Sequence, residues 1–419
     1  MLSLDKIVNE TDSVRAALKR RGEDPPLDEI LALDSRRRDL ILEGENLRRH
    51  RNEVSRTIGR EKRKPTPDEQ AAMRETGERI KASETELAEV QARLDALLLT
   101  LPNLPLPETP DGLDETANVI VRTVGEPRQV EGAQAHWDIG PRLDIMDMEA
   151  GARISGARFY LLKGKGARLQ RALAAWMLDV HTSEHGYIEI DPPYLVRQET
   201  MTGSGNLPKF RDNLYHDDEQ DLWLIPTSEV ALNGIHQGQI IEHGMLPLKY
   251  VAQTPCFRKE HTAAGRDVRG MKRVHQFEKV EMFRYVEPGD SPAALEEMVD
   301  EATKLCERLG LAYRVLSLCA GDIGFQSART YDIEVWAAGS QEWLEVSSIS
   351  TCVDFQARRN NTRYRPEPGG STRLPHTLNG SGLALPRLFI AVLENGQQPD
   401  GSVVIPDVLR PYTGFDSIS

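Results

Sequence analysis

Two runs of heptad-spaced apolar residues restrict this chain more than any other feature. Leu33, Leu40, Leu47 and Val54 recur every seven positions, with a partial second series that starts at Ile30 and ends at Ile58. After "GREKRKPTP", Gly59 to Pro67, the pattern resumes with Met73, Ile80, Leu87, Leu94 and Leu101 on one heptad position and Thr76, Ser83, Val90 and Leu97 on another. A seven-residue period keeps one seam of a helix apolar, the signature of a coiled coil. Two such helices separated by a glycine and two prolines are predicted to fold back as an antiparallel hairpin over about 30–101. At ~1.5 Å rise per residue each arm would project about 45 Å.

The charge of this hairpin differs from that of the rest. Residues 30–64 carry eleven Lys or Arg against six Asp or Glu, a local +5 within a chain whose net charge is −13. An acidic average argues against a nucleic-acid partner, because phosphate backbones demand cations. A rigid basic arm on an otherwise acidic protein is nonetheless what recognition of an RNA backbone by shape would use, although a solvated helix face laced with local ion pairs gives the same pattern.

With 39% hydrophobic and 28% charged residues the chain is expected to fold, and no apolar run approaches the ~20 residues of a membrane span. The opening "MLSLDKIVNETDSVRAALKRRGE" lacks an apolar signal core, so a cytoplasmic location is expected. Cys256, Cys306, Cys319 and Cys352 show no metal-ligand spacing and are expected as reduced thiols. The four prolines of "LTLPNLPLPETPDG", Leu99 to Gly112, mark a boundary between a domain at 1–110 and a second at 111–419.

Beyond that boundary, helices are predicted at 167–186 and 291–310, with strands at "DLWLIPT", "LPLKYVAQTPCFRKE", "RVHQFEKVEMFRYV", "YRVLSLCAG", "TYDIEVWAAG" and "EWLEVSSIS". "GSGLALPRLFIAVLENG" reads as a turn into an amphipathic helix. Many strands joined by short loops argue for an α+β domain with a largely antiparallel sheet. Strand alternation would put Arg258 with Glu260, and His275 with Phe277, Lys279 and Glu281, on common faces. Between them lies a basic loop with His261, Arg266, Arg269, Lys272 and Arg273, so a polyanion site is expected there. Glu345 and Ser347 would share a face with Ser348 beside them, hard-oxygen ligands suited to Mg²⁺. Thr227 and Glu229 in "IPTSEV" could hold an ammonium and a small polar group. There is no GxxxxGK[ST] and no GxGxxG after a strand; "LLKGKGARL" reads as a loop before a helix.

In order along nearly the whole chain, "VRAALKRRG", the heptad hairpin, "LLLTLPNLP", "FYLLKGKGARL", "TGSGNLPKF", "IPTSEV", "CFRKEHTAAGRDVRGMKRVHQFEKVEMF", "CAGDIGF", "TYDIEVW", "DFQARR" and "TLNGSGLALPR" resemble the class II aminoacyl-tRNA synthetases, and among them the bacterial-type seryl-tRNA synthetases. The resemblance implies a class II antiparallel-sheet catalytic domain behind an N-terminal coiled-coil hairpin, dimerising through its first motif around 167–186 and "DPPYLV". It implies ATP-dependent activation of L-serine to seryl-adenylate and transfer to tRNA(Ser), and to tRNA(Sec) where present, with the coiled coil on the long variable arm. Carried over residue by residue, Arg258 and Arg387 would be catalytic. ATP would meet Arg258, Glu260, Arg273, Val274, Phe277, Glu345, Val346, Ser347, Ser348 and Arg387. Serine would meet Thr227, Ser228, Glu229, Arg258, Glu281, Asn379 and Ser381, and Mg²⁺ would meet Glu345 and Ser348. Three departures from the usual family wording, at Ala231–Asn233, Ile349–Thr351 and Pro386, lie beside these residues without replacing them.

Two other readings fit parts of the pattern. Adenylation followed by delivery of serine to a carrier protein leaves the basic hairpin without a use. A catalytically dead, coiled-coil interaction protein would have no reason to keep Arg258, Glu260, Glu281, Glu345 and Arg387 together.

Overall fold

A computed structural model describes residues 1–260 and 269–419. They form two compact units, one of residues 2–19 and 23–101, the other of Met1, 20–22 and 102–419.

In the first unit each heptad run is one continuous helix, Leu27–Arg60 and Pro67–Thr100. The second starts on a capping box: Thr66 Oγ1 accepts from Glu69 N and the Glu69 carboxylate accepts from Thr66 N, with Pro67 at the first helical position. Ile30, Leu40, Ile80, Leu94 and Leu97 are buried along the seam, whereas Leu42, off the heptad, is exposed. Where Gly44 and Ser83 meet, the missing side chain lets Ser83 Oγ reach Leu40 O. Arg36 donates to Glu86 through two bonds of 2.7 Å, Arg48 to Glu84 at 2.7 Å and Arg93 to Glu29 at 2.9 Å, which fixes the antiparallel register. Part of the basic charge on the first arm is therefore matched internally. Arg49, Arg51 and Arg56 are exposed and have no ion pair among the described residues.

The second unit is organised on an eight-stranded sheet in the order Val119–Val124, Tyr313–Ser317, Arg329–Ala337, Glu342–Val353, His376–Ala384, Gln276–Val286, Leu248–Phe257, Ile188–Glu189. Every pairing is antiparallel except the last. Helices Gly164–Ser183, Ser291–Arg308 and Leu385–Gly396 share one large core with alternate residues of the strands, such as Val280 and Met282. The intervening residues Phe283 and Tyr285 join a separate cluster on the other face with Leu232, Tyr250 and Ala252. Phe277, Lys279 and Glu281 fall on that second face, and a cavity opens over them.

Several local expectations are corrected. "GSGLA" is not a turn: Gly380 to Ala384 finish a central strand, where a Cβ on Gly380 would lie 2.7 Å from Ile349. The strand carrying Cys256 stops at Phe257, so Arg258 and Glu260 are not aligned by strand alternation; Glu260 has φ 45°. His275 precedes the next strand and donates from Nδ1 to Arg258 O at 3.0 Å. "DLWLIPT" contributes only Leu222–Leu224, in a small three-stranded sheet. Val119–Val124, an edge strand with mostly exposed side chains, had no core-facing alternation by which to be recognised. The expected basic-loop residues His261 and Arg266 lie outside the described residues.

Candidate active site

The cavity has a volume of about 520 Å³ and brings together Thr227, Glu229, Arg258, Glu260, Arg273, Val274, Phe277, Glu281, Glu345, Ser348, Asn379, Ser381 and Arg387. These come from segments more than a hundred residues apart, and the sheet is what gathers them. Arg258 donates from Nε to Pro226 O at 3.1 Å and its guanidinium lies 5.1 Å from the Phe277 ring centroid, which leaves its terminal nitrogens toward the cavity. Glu260 accepts from Arg158 through its backbone oxygen at 2.7 Å and stands 3.9 Å from Arg273 Nη1.

Opposite them, Arg387 begins the Leu385–Gly396 helix and binds Glu345 twice, to its backbone oxygen at 2.8 Å and to Oε2 at 3.0 Å. A bulge decides what else lies here. Ile333 pairs with Ser347 but Glu334 pairs with Glu345, so Val346 is an extra residue. The alternation flips across it, and Glu345 and Ser348 both reach the cavity. Ser347, expected beside Glu345, turns away and donates to Ser381 O at 2.6 Å, and Val346 is fully buried. Ser228 also lies off the cavity, bonded to Thr254 at 2.7 Å between hydroxyls.

Two acidic clusters divide the cavity. In one, burial pushes the Asp332 carboxyl well above its usual range, with the charge of Glu345 adding to it and a bond from Ser348 opposing. Glu345 goes the other way: burial would raise it, but Arg387 outweighs that and holds it low, with Arg258 and Arg273 contributing. Asp332 Oδ1 is buried without a hydrogen-bond partner among the described residues. In the other cluster, burial and then the charge of Glu281 raise Glu229 to about 7, against the pull of Lys279. Glu229 Oε1 accepts from Gln356 Nε2 at 2.6 Å and Asn379 Nδ2 at 2.9 Å, so its position is fixed from behind.

The model described as tRNA synthetase class II core domain (G, H, P, S and T) matches residues 210–396, and that described as seryl-tRNA synthetase N-terminal domain matches residues 1–105. Serine–tRNA ligase of Thermomicrobium roseum is 55% identical over 99% of this chain and 94% of its own length; that of Roseiflexus castenholzii is 53% identical over 99% and 98%. The chain belongs to the seryl-tRNA synthetase family. The crystal structure of seryl-tRNA synthetase from Pyrococcus horikoshii complexed with ATP is similar at a TM-score of 0.95 and 38% identity, covering 100% of this chain and 99% of that one. The cytoplasmic enzyme of Naegleria fowleri in complex with AMP gives a TM-score of 0.88 at 30% identity, again covering 100% and 99%.

Within this seryl-tRNA synthetase family fold, several residues in the cavity or behind its wall carry no role from sequence reasoning. Gln326 and Gln356 sit in the quoted "CAGDIGF" neighbourhood and "DFQARR", yet their service to Glu229 depends on a fold-back that no local pattern announces. Lys279 was placed on the right face but given no function. His136 and Glu394 were unremarkable in sequence, yet the buried Glu394 carboxylate accepts from His136 Nδ1 at 2.9 Å, and His136 Nε2 accepts from Met271 N at 3.2 Å, just behind the cavity wall. None of the described helices is long and apolar enough to cross a membrane, and the four cysteines are buried and free.

Proposed function

We propose that this chain is a serine–tRNA ligase that makes seryl-adenylate and pyrophosphate from ATP and L-serine, then passes serine to the 3′ end of tRNA(Ser), and of tRNA(Sec) where present. The observation that carries the reading is the single cavity that joins an arginine pair, Arg258 and Arg387, to a buried acidic pair at Glu229 and Glu281. The nucleophile of the first step is an ionised carboxylate, so no general base is needed; in-line placement and neutralisation of the leaving pyrophosphate are. Arg258 would hold the serine carboxylate against the α-phosphate, Phe277, Glu260, Arg273 and Val274 would enclose the adenine end, and Arg387 would meet the γ-phosphate. Thr227, Glu281, Ser381 and Asn379 would take the serine ammonium and hydroxyl. A site that hydrogen-bonds the hydroxyl leaves buried polar groups unmet when alanine enters, which rejects alanine; threonine is excluded by size.

Mg²⁺ fits this chain. Glu345 and Ser348 supply hard oxygens at the phosphate end, and the unpartnered Asp332 Oδ1 with its raised titration marks a place short of positive charge. The ion would neutralise phosphate charge there.

Residues 1–110 would form the tRNA-binding domain and 111–419 the catalytic one, with the exposed Arg49, Arg51 and Arg56 of the coiled coil on the RNA backbone. Exposed Ile188, whose strand packs on the Gly164–Ser183 helix, and exposed Tyr194 and Leu195 that follow it support a homodimer through that region, and the cytoplasm is the expected compartment. Serine-dependent ATP–pyrophosphate exchange together with charging of tRNA(Ser) tests the reading: both activities are expected, and absence of exchange refutes it. Replacing Arg49, Arg51 and Arg56 by Ala should weaken charging and flatten its salt dependence while exchange is unchanged; equal loss of both would remove the arm from tRNA recognition.

A further inference from the structure

The acidic pocket already contains an ammonium, and it belongs to the protein. Lys279 projects from the middle of the Gln276–Val286 strand, its Nζ donating to Thr227 Oγ1 at 2.6 Å and lying 2.5 Å from Glu281 Oε2. Thr227 Oγ1 also accepts from Glu229 N at 3.3 Å, as the cap of the Ser228–Gly234 helix. A hydroxyl oxygen has two lone pairs, so both are taken. Glu281 Oε2 is in the opposite condition: it is buried and, although the lysine charge is close, no aligned hydrogen-bond donor reaches it among the described residues.

We infer that Lys279 is a placeholder for the substrate ammonium: when serine enters, its ammonium takes over Thr227 and Glu281, and Lys279 Nζ transfers to the serine carboxylate beside Arg258. This rests on the serine reading above. Two ammonium groups cannot share one hydroxyl acceptor in a pocket of low dielectric, so one must leave. The lysine is the movable one, since its flexible four-carbon stem can swing while the strand stays in place. Without substrate it keeps Glu281 from being a buried unpaired charge, which would be strongly destabilising. Once displaced it needs a new counter-ion, and the carboxylate arrives on the same molecule as the ammonium that displaces it. An amine without a carboxylate would drive Lys279 into a cavity already crowded by Arg258, Arg273 and Arg387, with nothing to receive it. Lys279 therefore makes the pocket selective for amino acids over amines of the same head, acting as a specificity residue.

Ethanolamine, which keeps the ammonium and hydroxyl of serine but lacks the carboxylate, isolates this role. Calorimetric Kd values for ethanolamine and L-serine are measured on the full-length protein and on Lys279→Met. Removing a positive charge favours the cationic ethanolamine over zwitterionic serine even if Lys279 never moves, so the ratio of the two constants is read together with the position of Lys279 Nζ in the serine complex. We expect the preference for serine over ethanolamine to fall by at least about tenfold, the equivalent of ~1.4 kcal/mol; a ratio unchanged within about twofold overturns the inference. The unmodified protein crystallised with L-serine separates displacement from that general charge effect, and also gives an answer if the variant does not fold. Lys279 Nζ should then lie beyond about 3.5 Å from Thr227 Oγ1, and an Nζ still bonded to Thr227 overturns the inference. Absence of serine-dependent exchange in the unmodified protein would sink the serine reading itself, whereas normal exchange with Lys279 unmoved sinks only the placeholder.

Discussion

Glu229→Gln should make this protein more stable while disabling it. The carboxyl is fully enclosed, and its titration is raised from the ordinary 4.5 to about 7 by burial and by Glu281. Below about pH 4.5 folded and unfolded chains both hold the proton, and Glu229 contributes no pH dependence. Between there and about 7 the folded chain keeps a proton that the unfolded chain releases, so stability falls as pH rises. Above about 7 the full penalty applies, about 3 kcal/mol for a displacement of this size. Glutamine keeps an oxygen to accept from Gln356 and Asn379 and cannot ionise. The variant should therefore gain about 3 kcal/mol at pH 8 and less than about 1 kcal/mol at pH 5. Urea unfolding followed by tryptophan fluorescence measures this, because all five tryptophans lie within residues 137–343 and report on the catalytic unit alone. No gain at pH 8, or an equal gain at both pH values, would refute the reasoning. Serine-dependent exchange should be lost in the variant, and in the parent the KM for serine should rise as pH falls through about 7, where Glu229 loses the charge that attracts an ammonium.

Three further outcomes are expected. In Gly270→Ala the new Cβ would lie 2.0 Å from His136 Nε2, at a backbone φ of +65°; expelling His136 from Met271 N should raise the KM for ATP more than that for serine, and an unchanged ATP KM would count against the His136–Glu394 pair as a support of the cavity wall. Arg284→Met removes donors to Tyr187 at 2.7 Å and Glu301 at 2.5 Å, and urea unfolding should show a loss of about 3–5 kcal/mol for the stranded acid, partly restored by adding Glu301→Gln. Ser348→Ala should raise the Mg²⁺ concentration needed for half-maximal exchange, whereas Ser347→Ala, whose hydroxyl holds Ser381 O, should raise the serine KM instead; the reverse pattern would place the bulge at Val346 wrongly.

The coiled coil was the most legible part of the chain, because a seven-residue period states both that a helix forms and which side it buries. Ile80, Leu94 and Leu97 needed no knowledge of any distant residue to be placed on the seam. The face shared by Phe277, Lys279 and Glu281 was legible for the same reason, since strand alternation is a local rule that holds while pairing is regular. It failed where the pairing was not regular. The extra residue at Val346 changed which side chains reach the cavity, whereas beyond the strand end at Phe257 both Arg258 and Glu260 reach it without alternation to align them; a bulge is decided by the partner strand rather than by the strand that carries it. "GSGLA" looked like a turn because glycine usually marks one; here the close approach of Ile349 is what requires it.

The sequence by itself determined the two-helix hairpin, its charge, the antiparallel character of the second unit and the identities of the charged residues available to a site. Tertiary structure decided their states. Glu345, on a strand, is held ionised by Arg387, and Glu229, in the first turn of a helix, is raised to about 7 by burial beside Glu281, although both are glutamates. Lys279 became a stand-in for an ammonium only because Thr227, fifty-two residues earlier in the chain, is brought to its Nζ. Local periodicity is set by bonds between near neighbours and survives in one dimension, while desolvation and Coulomb forces depend on distances in three dimensions that the folded sheet alone sets.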